Sequence, residues 1–124
     1  MDALRLKIGL LEDDTDVSEL MKLWIEAAGH ECKAYGDGES FIGALNDSEF
    51  DLVILDMLMP KLPGDEVFER LQELDPEVRV LVISGFSSRE AVDKILRNGG
   101  LGFIQKPFTM KELSGKIREI LDKK

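Results

Sequence analysis

The chain has 124 residues, 44% hydrophobic and 33% charged, with 25 acidic side chains against 16 basic ones and a formal net charge of −9. That length suits one domain, residues 1–124, with one proper core, and no apolar run approaches the roughly 18 residues of a membrane helix. The acidic balance argues against direct contact with nucleic acid or an anionic membrane, both of which need a basic surface. A protein partner, a cation or both fit better. The start, MDALRLKIGLL, runs straight into EDD without the small-residue cleavage region of a signal peptide, so a cytoplasmic location is expected. The single Cys32 can form no internal disulfide and is expected to be a buried, inert thiol.

In chain order, RLKIGLL at 5–11 is the first run of strand length, ending in Glu12, Asp13 and Asp14. Val17, Leu20, Met21, Trp24, Ile25 and Ala28 then repeat at helical spacing as one apolar face that stops at Gly29. His30 follows and is expected in a solvated turn. ECKAY at 31–35 is polar enough for an edge strand, and Phe41, Ile42 and Leu45 mark a short second helix. DLVIL at 51–55 is continuously apolar after its first residue and bounded by turn signals, which predicts a strand buried on both faces. Asp56 stands where it leaves the core.

Val67, Phe68 and Leu71 predict a third helix ending before Pro76, RVLVI at 79–83 a fourth strand, and Ala91, Val92, Ile95 and Leu96 a fourth helix. LGFIQ at 101–105 is the fifth strand. Thr109 and Glu112 form a capping box that opens a last helix with Leu113, Ile117, Ile120 and Leu121 at helical spacing. Strands alternating with helices require a parallel sheet covered on both faces, with its ligand site along the carboxyl ends of the strands. On that edge fall Glu12, Asp13, Asp56, Ser84 and Lys106. Clustered carboxylates repel unless a cation joins them, and hard oxygen ligands suit Mg²⁺. A carboxylate, a divalent cation, a lysine and a hydroxyl form a phosphoryl-transfer site, with Asp56 as nucleophile.

From KIGLLEDD through LVILDMLMPKLPGDE and VLVISGF to GFIQKPFTMKEL, the chain resembles the response-regulator receiver domains of two-component systems. The resemblance implies a flavodoxin-like (βα)5 fold with strand order 2-1-3-4-5. It implies that Asp56 takes phosphate from a phosphohistidine on a sensor histidine kinase or phosphotransfer protein, and that the domain promotes its own phosphorylation and dephosphorylation. Glu12 and Asp13, with Asp56 and the backbone carbonyl of Leu58, would bind Mg²⁺. Lys106 would bond the phosphoryl group, Ser84 would turn toward it, Phe103 would occupy the aromatic switch position, and the Lys106–Pro107 bond would be cis. Helix four, strand five and helix five would present the readout face to a downstream protein or to a second copy on phosphorylation. The ending, GFIQKPFTMKELSGKIREILD, resembles receivers attached to hybrid histidine kinases, and no output domain is expected within these residues.

A haloacid-dehalogenase-type phosphatase also places a nucleophilic aspartate after an apolar strand. It needs a second aspartate two residues later, where this chain has Leu58. A flavin-binding scaffold of the same architecture would have its ligand's phosphate repelled by the acidic rim. Taken alone, Asp56 would be a turn residue, Asp14 a helix-terminal charge and Lys106 a surface lysine; their company changes that reading. Met57, Leu58 and Met59 are expected to pack or shield, and apolar Leu58 and Phe86 to bear on the lifetime of the phosphoryl group.

Overall fold

The computed structural model describes residues 5–45, 50–57, 62–85 and 89–122. Strands β1 (Lys7–Leu11), β2 (Glu31–Tyr35), β3 (Leu52–Asp56), β4 (Val80–Ser84) and β5 (Gly102–Gln105) alternate with helices α1 (Thr15–Ala27), α2 (Gly38–Ala44), α3 (Gly64–Leu74), α4 (Arg89–Arg97) and α5 (Met110–Asp122). All strand pairs are parallel, in the order β2-β1-β3-β4-β5. This is the flavodoxin-like arrangement, with its strand order reversing between β1 and β3.

The apolar runs lack an alternating pattern because successive residues feed two different cores. Leu52 and Ile54 pack with Met21 and Ile25 of α1 and with Leu113 and Ile117 of α5. Val53 and Leu55 pack on the other face with Phe41 of α2, Val67 and Leu71 of α3, and Val92 of α4. Strand β4 divides likewise, Leu81 and Ile83 to the first core and Val80 and Val82 to the second. Each fully buried aliphatic side chain stabilises the fold by about 1.5–3 kcal/mol, so the two layers fix the register.

Helix ends follow local chemistry. Asp14 caps α1, its Oδ1 accepting from the Asp16 and Val17 N–H groups at 3.0 and 3.2 Å. Gly29, at φ 96°, closes the other end with its N–H on the Glu26 carbonyl. At α5 the Thr109 N–H donates to Glu112 Oε1 at 3.0 Å and the Glu112 N–H to Thr109 Oγ1 at 3.1 Å, the reciprocal pair the sequence pattern predicts.

Three expectations need correction. Leu20 is 45% exposed, outside the buried stripe of α1, where Ser18 is buried instead. Helical spacing alone admits Leu20, but Ser18, Met21 and Ile25 lie at i, i+3 and i+7 and face the sheet. Leu96 is likewise exposed at the flank of α4, whose buried residues are Val92 and Ile95. His30 is no solvated turn: it is half-buried, and its Nδ1 accepts the Leu6 N–H at 3.0 Å where β1 and β2 begin. Burial lowers its pKa from the ordinary histidine value. Cys32 is buried and its thiol is pushed up to about 11 by burial, which leaves it unreactive. Among the described residues no helix is long and apolar enough to cross a membrane.

Candidate functional site

Strand alternation decides which side chains meet at the carboxyl edge of the sheet. Glu12, Asp56 and Lys106 each follow by two residues a side chain of the α1/α5 core, respectively Leu10, Ile54 and Ile104. They therefore leave the sheet toward the same side. Met57 and Ser84 follow Leu55 and Val82, and so belong to the α2–α4 side. Strands β1 and β3 are neighbours at the reversal of strand order, which brings Glu12 and Asp56 together. The long stem of Lys106 reaches them from β5.

The Lys106 ammonium lies 3.0 Å from Asp56 Oδ2, to which it donates, and 2.9 Å from Glu12 Oε1. Both carboxylates are buried, at 2% exposure each. Glu12 Oε2 accepts the Asp14 N–H at 3.2 Å, whereas Oε1 has the lysine close by but no donor aligned on it. Burial first, and the Asp56 carboxylate next, push the Glu12 carboxyl up to about 7 against the pull of Lys106. Burial alone would lower Lys106, but its bonds to Glu12 and Asp56 outweigh it and raise the ammonium above the usual lysine value.

Asp13 is exposed and completes the acidic group: one carboxylate oxygen from each of Glu12, Asp13 and Asp56 lies within 4.8 Å of the others. Three hard oxygens at that spacing, one of them buried without an aligned donor, fit a small divalent cation such as Mg²⁺. Leu58, whose backbone carbonyl was expected as a further ligand, lies outside the described residues, as does Phe86.

Ser84 ends β4 fully buried, and its hydroxyl donates to the Gly85 carbonyl at 3.0 Å. Phe103 is half-buried, opposite Val82 in the register, and packs on the α2–α4 core, the same side as Ser84. The Lys106–Pro107 peptide is cis. Phe108, next along, meets Trp24 of α1 edge to face with ring centroids 6.3 Å apart, tying the Lys106 loop to the helix that follows the acidic cluster.

Two positioning features escape the sequence patterns. A Cβ on Gly64 would lie 2.9 Å from Met57 Cα and 3.3 Å from the Asp56 carbonyl, so only glycine lets the start of α3 press on the backbone beside Asp56. The Pro63–Gly64 pair signals a turn, but nothing in it shows what lies beneath. The Trp24–Phe108 contact joins residues too far apart in the chain for any local pattern.

A family profile for the response regulator receiver domain matches residues 8–118. The chain belongs to that family. It is a receiver domain of the kind used in two-component signalling, and the phosphatase alternative falls away. The receiver is 33% identical over 119 residues to the probable C4-dicarboxylate response regulator DctR of Bacillus subtilis (strain 168), covering 94% of this chain and 51% of that protein. It is 28% identical over 115 residues to the response regulator receiver protein CpdR of Brucella abortus (strain 2308), covering 93% and 96%. A CheY-like receiver domain structure from Methanospirillum hungatei JF-1 superimposes with a TM-score of 0.89 at 27% identity, covering 97% of this chain and 95% of that one. The chain spans about half the length of the first curated relatives it matches. As a class, receivers interact with histidine kinases and downstream targets and bind Mg²⁺.

Proposed function

We propose that Asp56 is the phosphoacceptor, taking a phosphoryl group from a phosphohistidine on a sensor histidine kinase or phosphotransfer protein. One observation carries the reading: two buried carboxylates, Asp56 and Glu12, share the Lys106 ammonium at the point where strand order reverses. An Asp56 carboxylate oxygen forms the new bond to phosphorus as the phosphorus–nitrogen bond of the donor breaks, and that electron pair returns to the imidazole. Lys106 meets the charge gathering on the phosphoryl oxygens. Glu12, Asp13 and Asp56, with the Leu58 carbonyl, would hold Mg²⁺, which when bound neutralises phosphoryl charge. Water attack on the acyl phosphate reverses the modification, and because the residues two places past Asp56 and Ser84 in the sequence, Leu58 and Phe86, are apolar, the phosphorylated state is expected to be long-lived.

Signalling then follows from differential contacts. A phosphoryl oxygen accepts the Ser84 hydroxyl in place of the Gly85 carbonyl, and the Phe103 ring turns into the space left beside β4. The readout face is formed by α4, β5 and α5. Having no hydroxyl, Phe103 acts through packing, so Phe103→Tyr should be tolerated while Phe103→Ala should uncouple phosphorylation from the downstream partner.

Acetyl phosphate with Mg²⁺ should add one phosphoryl mass to the protein, and Asp56→Asn or a chelator should each reduce labelling at least 100-fold. Labelling that survives either change overturns the assignment.

A further inference from the structure

Lys106 acts at the end of a long reach. Strand β5 is the last strand of the sheet and β4 separates it from β3, so two strand spacings, roughly 9.5 Å, lie between the backbone that carries Lys106 and the strand that ends in Asp56. A stem extended over that gap, with its ammonium 2.9 Å from Glu12 and 3.0 Å from Asp56, passes any shift of its backbone on to the charge. Toward β4 this backbone is fixed by the Lys106 N–H, which donates to the Ser84 carbonyl at 2.9 Å. Toward α5 it has one inward anchor: Gln105, Pro107, Thr109 and Met110 are exposed, whereas Phe108 is half-buried against the α1/α5 core, its ring edge to face with that of Trp24. Trp24 belongs to α1, and the cap residue of that helix, Asp14, donates its N–H to Glu12 Oε2 at 3.2 Å. The two rings therefore join the loop that carries the lysine to the helix that starts at its carboxylate partner.

We infer that Trp24 and Phe108 are positioning residues for phosphoryl transfer, a ring clamp that holds the Lys106 ammonium where it meets the oxygens of the incoming phosphoryl group. The inference rests on the reading of Asp56 as phosphoacceptor, and it adds how the counter-charge is kept in place. The rings act only through Lys106. A displacement of about 1 Å at a group that meets transition-state charge can slow a reaction about 100-fold, so loosening the clamp should slow phosphorylation. Mg²⁺ binding should hold or tighten, because Glu12, Asp13 and Asp56 lie outside the loop and a looser ammonium competes less for them. Damage to the fold around the rim would instead weaken both.

Intact-mass measurement of labelling by acetyl phosphate with Mg²⁺, made well below each variant's melting temperature, gives the rates. Phe108→Leu and Trp24→Leu keep apolar bulk but remove a ring, and each should slow labelling about fivefold or more. Their double variant should be within about twofold of either, since both break one contact, and Phe108→Tyr, which keeps the ring, should stay within about twofold of the parent. In a Lys106→Met background, with no ammonium to position, Phe108→Leu should change the rate by less than about twofold. Titration of the Asp13 amide shift with Mg²⁺ should show an affinity no weaker than the parent's. Parental labelling by Phe108→Leu, an equal loss in the Lys106→Met background, or weakened Mg²⁺ binding overturns the clamp. Asp56→Asn is run alongside: parental labelling there defeats the phosphoacceptor reading, whereas loss of labelling there together with any of those three outcomes defeats the clamp alone.

Discussion

Two lysines of this receiver each sit between two carboxylates, and the contrast between them shows what makes a site. Lys106 lies 2.9 Å from Glu12 and 3.0 Å from Asp56, whose side chains are 1% and 3% exposed. Lys94 of α4 lies 4.0 Å from Asp65 and 3.6 Å from Glu69 of α3, whose side chains are 37% and 59% exposed. The charges are the same, but water screens the second set and not the first. Burial raises the Glu12 carboxyl to about 7 and makes Lys106 necessary to the carboxylates around it. The α3–α4 pairs decorate a surface that would pack without them.

The sharpest break of this comparison is Lys106→Met. It strands Glu12 and Asp56 in low dielectric, and in chelator it should cost about 2–4 kcal/mol in urea unfolding at pH 8. The loss should shrink toward pH 6, because the Glu12 carboxyl, already raised, can take up a proton there. A loss below about 0.5 kcal/mol would mean that water reaches the pair as freely as it reaches Lys94.

Mg²⁺ tests the same rim from the other side. A cation that joins Glu12, Asp13 and Asp56 binds only the folded chain, so at roughly 100 times its Kd it should add about 2.7 kcal/mol. Glu12→Gln with Asp13→Asn should remove that gain in thermal melts. If the double variant rises as the parent does, the cation sits elsewhere.

Most of the architecture is legible in the sequence because each apolar run is long enough to name a strand and each helix keeps its period. The rim is legible for a related reason: strand ends carry Glu12, Asp56, Ser84 and Lys106, and a parallel sheet must gather them on one edge. What stays hidden depends on depth and distance. Nothing at Leu20 or Leu96 tells that the sheet turns away from them. Gly64 looks like an ordinary turn glycine until Met57 is found beneath it, and His30 gives no local sign that its Nδ1 will take the Leu6 N–H.

His30 makes an intermediate case, half-buried and neutral at the end of the sheet far from the acidic rim. Its folded pKa lies below the ordinary value of about 6.5, so between the two values the unfolded chain holds more protons and acid favours unfolding. The stabilisation is therefore complete above about pH 6.5 and is lost as pH falls through the folded value. Urea titrations from pH 7.5 to 5, compared with His30→Gln, isolate it; identical slopes would show that the Leu6 contact does not depend on the neutral ring.

The smallest effect belongs to Lys94→Met, the same deletion as Lys106→Met made where water has access. Its side chain is 51% exposed and its partners more than a third exposed, so the pairs should contribute under 1 kcal/mol at low salt and nearly nothing at 1 M salt. The methionine keeps most of the stem that covers the α3–α4 groove, which separates loss of charge from loss of packing. Salt therefore provides the decisive reading. The difference between parent and Lys94→Met should vanish as salt rises, while that between parent and Lys106→Met in chelator should persist. If both differences disappeared together, the buried rim would be screened like a surface, and burial could no longer explain why only one of these two lysines belongs to a site.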